Sequence, residues 1–144
     1  MNATPRIRGG IGADEEYWAA LERGEFKLSR CVSCRVWMWP AHFRCGHCGS
    51  WVVAWEEVEP VGTIYTWTRN HALSEVIKER REDLPFVTVL VEIPQAGSSR
   101  VAGILLGDGA SARIGAAVRG VIRGPEARAK GYATMAWQLV GDDR

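Results

Sequence analysis

The order of apolar and polar positions divides the chain into three stretches. In the first, roughly residues 13 to 24, Tyr17 and Trp18 precede Leu21 by four and three positions, which puts the three side chains on one helical face. Asp14 stands where an N-cap is expected, Glu15 and Glu16 suit the positive end of the helix dipole, and Gly24 follows as a stop. A helix of about ten residues is marginal alone. Its apolar face therefore has to pack, either on the rest of the chain or in a partner or ligand groove. In the second stretch, roughly 26 to 52, Phe26 and Leu28 alternate with Lys27 and Ser29, as in a short strand.

The third stretch, 53 to 142, has the period of strands. Val87, Val89, Val91 and Ile93 share one face of the run from Phe86, and Ala133, Met135, Trp137 and Leu139 share one face of another. Further strands are expected over 53–59, 61–69, 100–106 and 117–123, with turns at Gly107-Asp108-Gly109 and Gly124-Pro125. Residues 72–83, largely polar, read as a helical excursion. Five or six strands with one such insertion predict a small closed barrel of the OB type.

Four cysteines add a second element of architecture. Cys31 and Cys34 are separated by two residues, as are Cys45 and Cys48, with ten residues between the pairs. A two-residue spacing lets one tight turn aim both sulfurs at a point, and two such turns complete a tetrahedron. Four thiolates leave a bound metal no open position, so the expected role is structural. Zinc is the expected ion, and iron suits the same four sulfurs. Gly49 follows the second pair, where a positive φ is required. Arg35 holds the matching place after the first pair, at a cost of about 1 kcal/mol. His42 and His47 lie beside a set of ligands that is already complete, so both are read as surface or supporting residues.

The fold class that follows is mainly β: a short N-terminal helix, a rubredoxin-like zinc ribbon, then an OB-fold β-barrel. The expected division is 13–52 for helix and ribbon and 53–142 for the barrel.

Composition narrows the function. Hydrophobic residues at 47% and charged residues at 24% are ordinary for a soluble globular protein. No apolar run approaches the ~20 residues of a membrane span. The opening MNATPRIRGG has no export signal, which points to a cytoplasmic protein whose thiols meet a reducing compartment. Lys and Arg total 18 against 17 Asp and Glu, a net charge of +1, where a nucleic-acid binder shows a clear basic excess. The segment from Arg113 to Lys130 carries five cations and only Glu126 as an acid; it is a solvated strand edge and loop or a docking site for a phosphate-bearing ligand.

Catalytic machinery is sparse. There is no nucleophile elbow, P-loop or dinucleotide motif. His71, at a strand end, reads as a hydrogen-bonded histidine or as a general base, Asp108 between two glycines reads as a turn residue, and the metal uses every thiol. Seven tryptophans stand out. Trp37, Trp39, Trp51 and Trp55 crowd the ribbon, with Trp18 on the helix and Trp67 on a strand, and they serve as core packing or as a contact surface.

In order along the chain, several pieces look like one known family. They are Trp18-Ala-Ala-Leu21-Glu-Arg-Gly24, the pair Cys31 and Cys34, Trp39-Pro40, Arg44-Cys45 through Cys48-Gly49, Val61 through Thr68, Leu84-Pro85-Phe86-Val87 through Ile93, and Ile114-Gly115 through Val118. Together they resemble the acyl-CoA-associated proteins that join a rubredoxin-like zinc ribbon to an OB-fold (domain of unknown function thirty-five). The chain departs from the pattern at Arg35, where glycine is common, and at Trp39-Pro40, where two prolines often stand.

What the resemblance implies is a non-catalytic accessory subunit in a hetero-oligomer. Its partner would be a thiolase-like enzyme acting on acyl-CoA: a thiolase, an acyltransferase, or an aldolase that shortens steroid side chains. On that reading Arg113, Arg119, Arg123, Arg128 and Lys130 are candidates for CoA phosphates, and Trp18, Trp37 and Trp39 for the partner interface. The other reading is a nucleic-acid-binding module, since zinc ribbons and OB barrels each serve that role.

Overall fold

A computed structural model describes residues 12–141. The opening ten residues, read above as lacking an export signal, and residue 142, the expected end of the barrel, lie outside the described residues. Helix α1 covers Glu15–Glu22 and buries Tyr17, Ala20 and Leu21. Gly24, at φ 79°, ends it as expected. Its N–H donates to Leu21 O at 3.0 Å, and the next N–H, of Glu25, donates to Ala20 O at 2.8 Å, so the last carbonyls are satisfied.

The start of α1 differs from the expectation. Asp14 makes no side-chain capping bond; its backbone is not extended (φ −96°, ψ 10°), as a capping residue's is. Its carboxylate instead accepts the indole N–H of Trp18, one turn further on, at 3.1 Å.

Strands β1 (Lys27–Cys31) and β2 (Val53–Glu57) form a separate two-stranded antiparallel sheet, with Leu28 opposite Glu56 and Cys31 opposite Val53. The strand expected over 53–59 therefore pairs with the ribbon and not with the barrel, and the expected boundary after residue 52 falls between the two strands of this sheet. The cause is the knuckles. The chain runs into the first along β1 and leaves the second along β2, so the metal-binding turns bring these two strands side by side.

The barrel is built from β3 (Val61–Asn70), β4 (Phe86–Ile93), β5 (Ser99–Leu105), β6 (Ala117–Arg123) and β7 (Thr134–Leu139). It closes in the order β3-β4-β5-β7-β6. The expected closed barrel is borne out with five strands. All pairings are antiparallel except the short parallel seam where Ile104 and Leu105 meet Ala136 and Trp137. β4 alternates without a break, burying Val87, Val89, Val91 and Ile93. On β7 both Met135 and Trp137 are buried as the period predicts, but Ala136 is buried as well, because α1 packs against this strand.

The excursion between β3 and β4 is a 3₁₀ segment, Glu75–Asp83, broken at Ile77. One core joins the parts: Tyr17 and Leu21 of α1, Phe26 and Leu28 of the ribbon, and Ile64, Val87, Val101, Val118 and Trp137 of the barrel belong to a single buried cluster. A second, small cluster of Cys31, Met38 and Cys45 lies inside the ribbon.

Candidate functional site

Each cysteine pair sits on the same kind of turn. Arg35 N–H donates to Cys31 O at 3.0 Å, and Gly49 N–H donates to Cys45 O at 2.9 Å. Closing each turn this way takes the fifth residue into the left-handed region, at φ 68° for Arg35 and 82° for Gly49. Arg35 thus adopts the conformation that its place in the pattern requires. Its guanidinium reaches Glu56 Oε1 at 2.9 Å, and Arg30 holds the other oxygen of Glu56 at 3.2 Å.

The two turns bring the four sulfurs within 4.8 Å of one another. Cys31 and Cys48 stand 3.6 Å apart, as do Cys34 and Cys45. A tetrahedron with metal–sulfur bonds of about 2.3 Å has edges of roughly 3.8 Å, so the donor set fits one ion. Backbone N–H groups point at the sulfurs, from Cys34 to Cys31 Sγ at 3.5 Å and from His47 to Cys45 Sγ at 3.4 Å. The Cys34 N–H is the main reason that the Cys31 thiol is lowered to about 6. The N–H groups of Cys48 and His47 likewise lower Cys45. Cys34 behaves differently: the Val36 N–H favours its thiolate, but burial and the neighbouring thiols of Cys45, Cys48 and Cys31 outweigh it and push it up to about 12. Four negative sulfurs at this range need a cation among them to be ionised together. His42 and His47 are both exposed at the rim, and no ring nitrogen belongs to the cluster.

The sequence did not point to a second feature, an open groove of about 470 Å³ between α1, the 3₁₀ segment, β5 and the loop after β6. Its apolar wall includes Tyr17, Trp18, Phe86, Leu105 and Met135. Its polar rim is Arg80, Asp83, Arg123, Glu126 and Arg128. The rim is closed by ion pairs: Arg128 reaches Asp83 at 2.6 Å and Glu126 at 2.7 Å, and Arg123 reaches Glu126 at 3.1 Å. Lys130 reaches Glu79 at 3.2 Å. The signal for this network was available in the charge run of residues 75–83, but its pairing with 123–130 crosses some 45 residues of chain.

The five cations of the 113–130 segment do not form one patch. Arg123, Arg128 and Lys130 meet the acids around the groove. Arg119 sits four positions back along β6, opposite Val61 and Gln138, and Arg113 lies in the loop whose Gly115 bonds Ile64. Both are exposed, and neither has an ion-pair partner among the described residues.

The three tryptophans singled out for an interface are half-buried, and their rings pack on the main core. Trp18 faces Tyr17 edge-on at 5.0 Å and lies 5.6 Å from Tyr132. Trp39 lies 4.5 Å from the Tyr17 ring. Trp37 packs on Gly97 and carries the Arg30 guanidinium 4.7 Å above its ring. The exposed tryptophan of the ribbon is Trp51, at 69%. His71 is exposed, and Asp108 accepts the Ala110 N–H at 2.8 Å, a turn residue as read. No helix among the described residues is long and apolar enough to cross a membrane.

Two family models match consecutive segments of the chain. Residues 18–52 match the rubredoxin-like zinc ribbon domain of ChsH2, and residues 55–123 match its C-terminal OB-fold domain. The chain belongs to the ChsH2 family. The two ChsH2 matches change over between residues 52 and 55, inside the ribbon sheet. Among solved structures, an Ltp2-ChsH2(DUF35) aldolase is similar over 93% of this chain and 98% of its own, with a TM-score of 0.77 and 20% identity. A DUF35-family protein of unknown function from Sulfolobus solfataricus is similar over 90% and 86%, with a TM-score of 0.57 and 16% identity. At these identities the likeness is one of fold. No curated protein matches the sequence.

Proposed function

We propose that this chain is the non-catalytic accessory subunit of a thiolase-like enzyme acting on acyl-CoA thioesters, working in a cytoplasmic hetero-oligomer. The observation that carries the reading is the match, in order, of both ChsH2 domains. The solved relative is an aldolase named for Ltp2 and ChsH2, which supports carbon–carbon cleavage as the partner reaction. The residues agree with a supporting role. The four cysteine sulfurs lie together with no ring nitrogen among them, and the histidines are exposed.

On this reading Cys31, Cys34, Cys45 and Cys48 hold zinc, a structural ion that fixes the ribbon against α1 and the barrel. The groove between α1 and β5 suits a chain that is long and partly apolar, such as a pantetheine arm with its acyl group. Arg123, Arg128 and Lys130 are the cations proposed to meet CoA phosphates. Each now faces carboxylates, which an incoming phosphate would have to displace. Arg113 and Arg119, which line no part of the groove and meet no carboxylate among the described residues, would act through long-range attraction.

The test is co-expression with a thiolase-like subunit, followed by acyl-CoA turnover by each protein and by the pair. The pair should far exceed either alone. A partner fully active alone would remove the accessory role, and turnover by this chain alone would remove the non-catalytic one. Binding of single-stranded oligonucleotide should remain at the non-specific level of about 10⁻⁴–10⁻⁶ M at physiological salt.

A further inference from the structure

We infer that the tip of the ribbon is the surface through which this chain docks on its partner protein, and that the partner offers it an apolar pocket edged with carboxylates. The inference deepens the accessory-subunit reading and rests on it for the existence of a partner.

The first observation is exposure. Five of the eleven large hydrophobic side chains exposed among the described residues lie in the ribbon: Val32, Val36, Phe43, Trp51 and Val52. Trp51 is 69% exposed and Val52 58%. The backbone gathers them. Val32 N–H donates to Val52 O at 3.1 Å and Ser33 Oγ meets Ser50 Oγ at 3.0 Å, so the first knuckle lies beside the chain leaving the second. Arg44 holds its guanidinium 5.6 Å from the Trp51 ring, and the exposed Phe43 precedes it in the chain. Single exposed apolar residues are ordinary, whereas a contiguous group marks a contact. A tip clamped by its cysteines does not need these side chains for its own core, which is Cys31, Met38 and Cys45.

The second observation is charge. From Phe26 to Trp55 there is no aspartate or glutamate, and there are four cations, Lys27, Arg30, Arg35 and Arg44. Lys27, Arg30 and Arg35 are paired with Glu25 or Glu56 at the base of the ribbon. Arg44, at the tip, has no carboxylate partner among the described residues; it donates to Gly49 O and lies over Trp51. The exposed His42 and His47 flank it in sequence. An apolar centre with an unmatched cation and no acid is complementary to an acid-rimmed apolar pocket. Nucleic acid would also meet Arg44 and Trp51. Three of the five apolar side chains are valines, however, which give a base nothing to stack on.

The experiment places the photo-crosslinking residue benzoylphenylalanine at position 51 of the full chain, and separately at position 67 on the barrel, with the thiolase-like subunit as probe. Position 51 should react with a partner peptide that carries Asp or Glu beside apolar residues. Trp51→Ser should weaken the complex about thirtyfold and Arg44→Glu about tenfold, each with metal content unchanged. Adducts from position 67 alone, adducts only to a second copy or to RNA, or unaltered affinity in Trp51→Ser would each overturn the docking surface. A partner that binds and is activated but reacts only from the barrel leaves the accessory reading standing without this surface. If the thiolase-like subunit fails to bind the wild-type chain, the same crosslinker in native cells separates the ideas: an adduct to the acid-rimmed pocket of another protein keeps the surface and removes the thiolase-like partner.

Discussion

Gly103 on β5 lies so close to Trp137 on β7 that a Cβ built on it would stand 2.7 Å from the indole Cδ1 and 2.8 Å from Nε1. It would also stand 2.5 Å from the backbone oxygen of Met135, which has no freedom to retreat. The absent side chain is what lets the two strands meet in the parallel seam that closes the barrel. Gly103→Ala should therefore destabilise the fold by about 1–3 kcal/mol, measured by denaturant unfolding. Trp137 is fully buried, and its indole N–H has no partner among the described residues. Trp137→Ala should cost about 3–5 kcal/mol, whereas Trp137→Phe should cost less than half of that, because it also removes a buried donor that lacks an acceptor.

The two knuckles give a pair of opposite predictions. Arg35 and Gly49 hold equivalent left-handed positions. Arg35→Gly should stabilise by up to about 1 kcal/mol, less whatever the exposed pair with Glu56 contributes. Gly49→Ala should destabilise by about 1–2 kcal/mol, since its Cβ is strained and would also press on Arg44 Nη2 at 3.2 Å. Thermal unfolding of the metal-loaded forms checks both signs.

Metal analysis should find one zinc per chain and negligible iron. A strong chelator should unfold the ribbon, with the loss of a metal contribution on the order of 10–16 kcal/mol. Cys34→Ser or Cys45→Ser should lose the ion and loosen α1, whose Tyr17 packs on Trp39 of the ribbon. A metal-free protein with native near-ultraviolet spectra would contradict this.

Asp83→Asn removes one carboxylate from the clasp between the 3₁₀ segment and Arg128. The groups are partly exposed, so global stability should change by no more than about 1 kcal/mol. Hydrogen exchange within residues 75–83 should nevertheless rise, because the Arg128 pair and the Lys130–Glu79 pair are the ion pairs that tie this segment to the far side of the groove among the described residues.

Burial raises the Tyr17 phenol above its ordinary value. The folded protein therefore keeps that proton where the unfolded chain releases it. Its contribution is intact below about pH 10 and is lost as pH rises beyond it. Unfolding free energies compared at about pH 8 and pH 11 should fall more steeply in wild type than in Tyr17→Phe.

The cysteine cluster and the barrel strands were legible because both are local. Two residues between cysteines suffice to aim two sulfurs, and Val87, Val89, Val91 and Ile93 declare their face by alternation alone. Gly24 and Arg35 were legible for the same reason, each being dictated by the turn that it completes. Asp14 was misread, because its choice between the backbone and the Trp18 indole depends on a side chain one turn away.

The sequence by itself determined that four thiolates converge, that a closed barrel follows, and which faces of the strands are apolar. These are consequences of chelate spacing and of period two, which act over a few residues. Only the tertiary structure decided that β2 returns to β1, that Trp18, Trp37 and Trp39 turn inward while Trp51 stays in water, and that Arg123, Arg128 and Lys130 face acids around a groove. Those outcomes depend on which distant segments share an edge or a core, and a charged or aromatic residue carries no mark of the partner it will meet once the chain has closed.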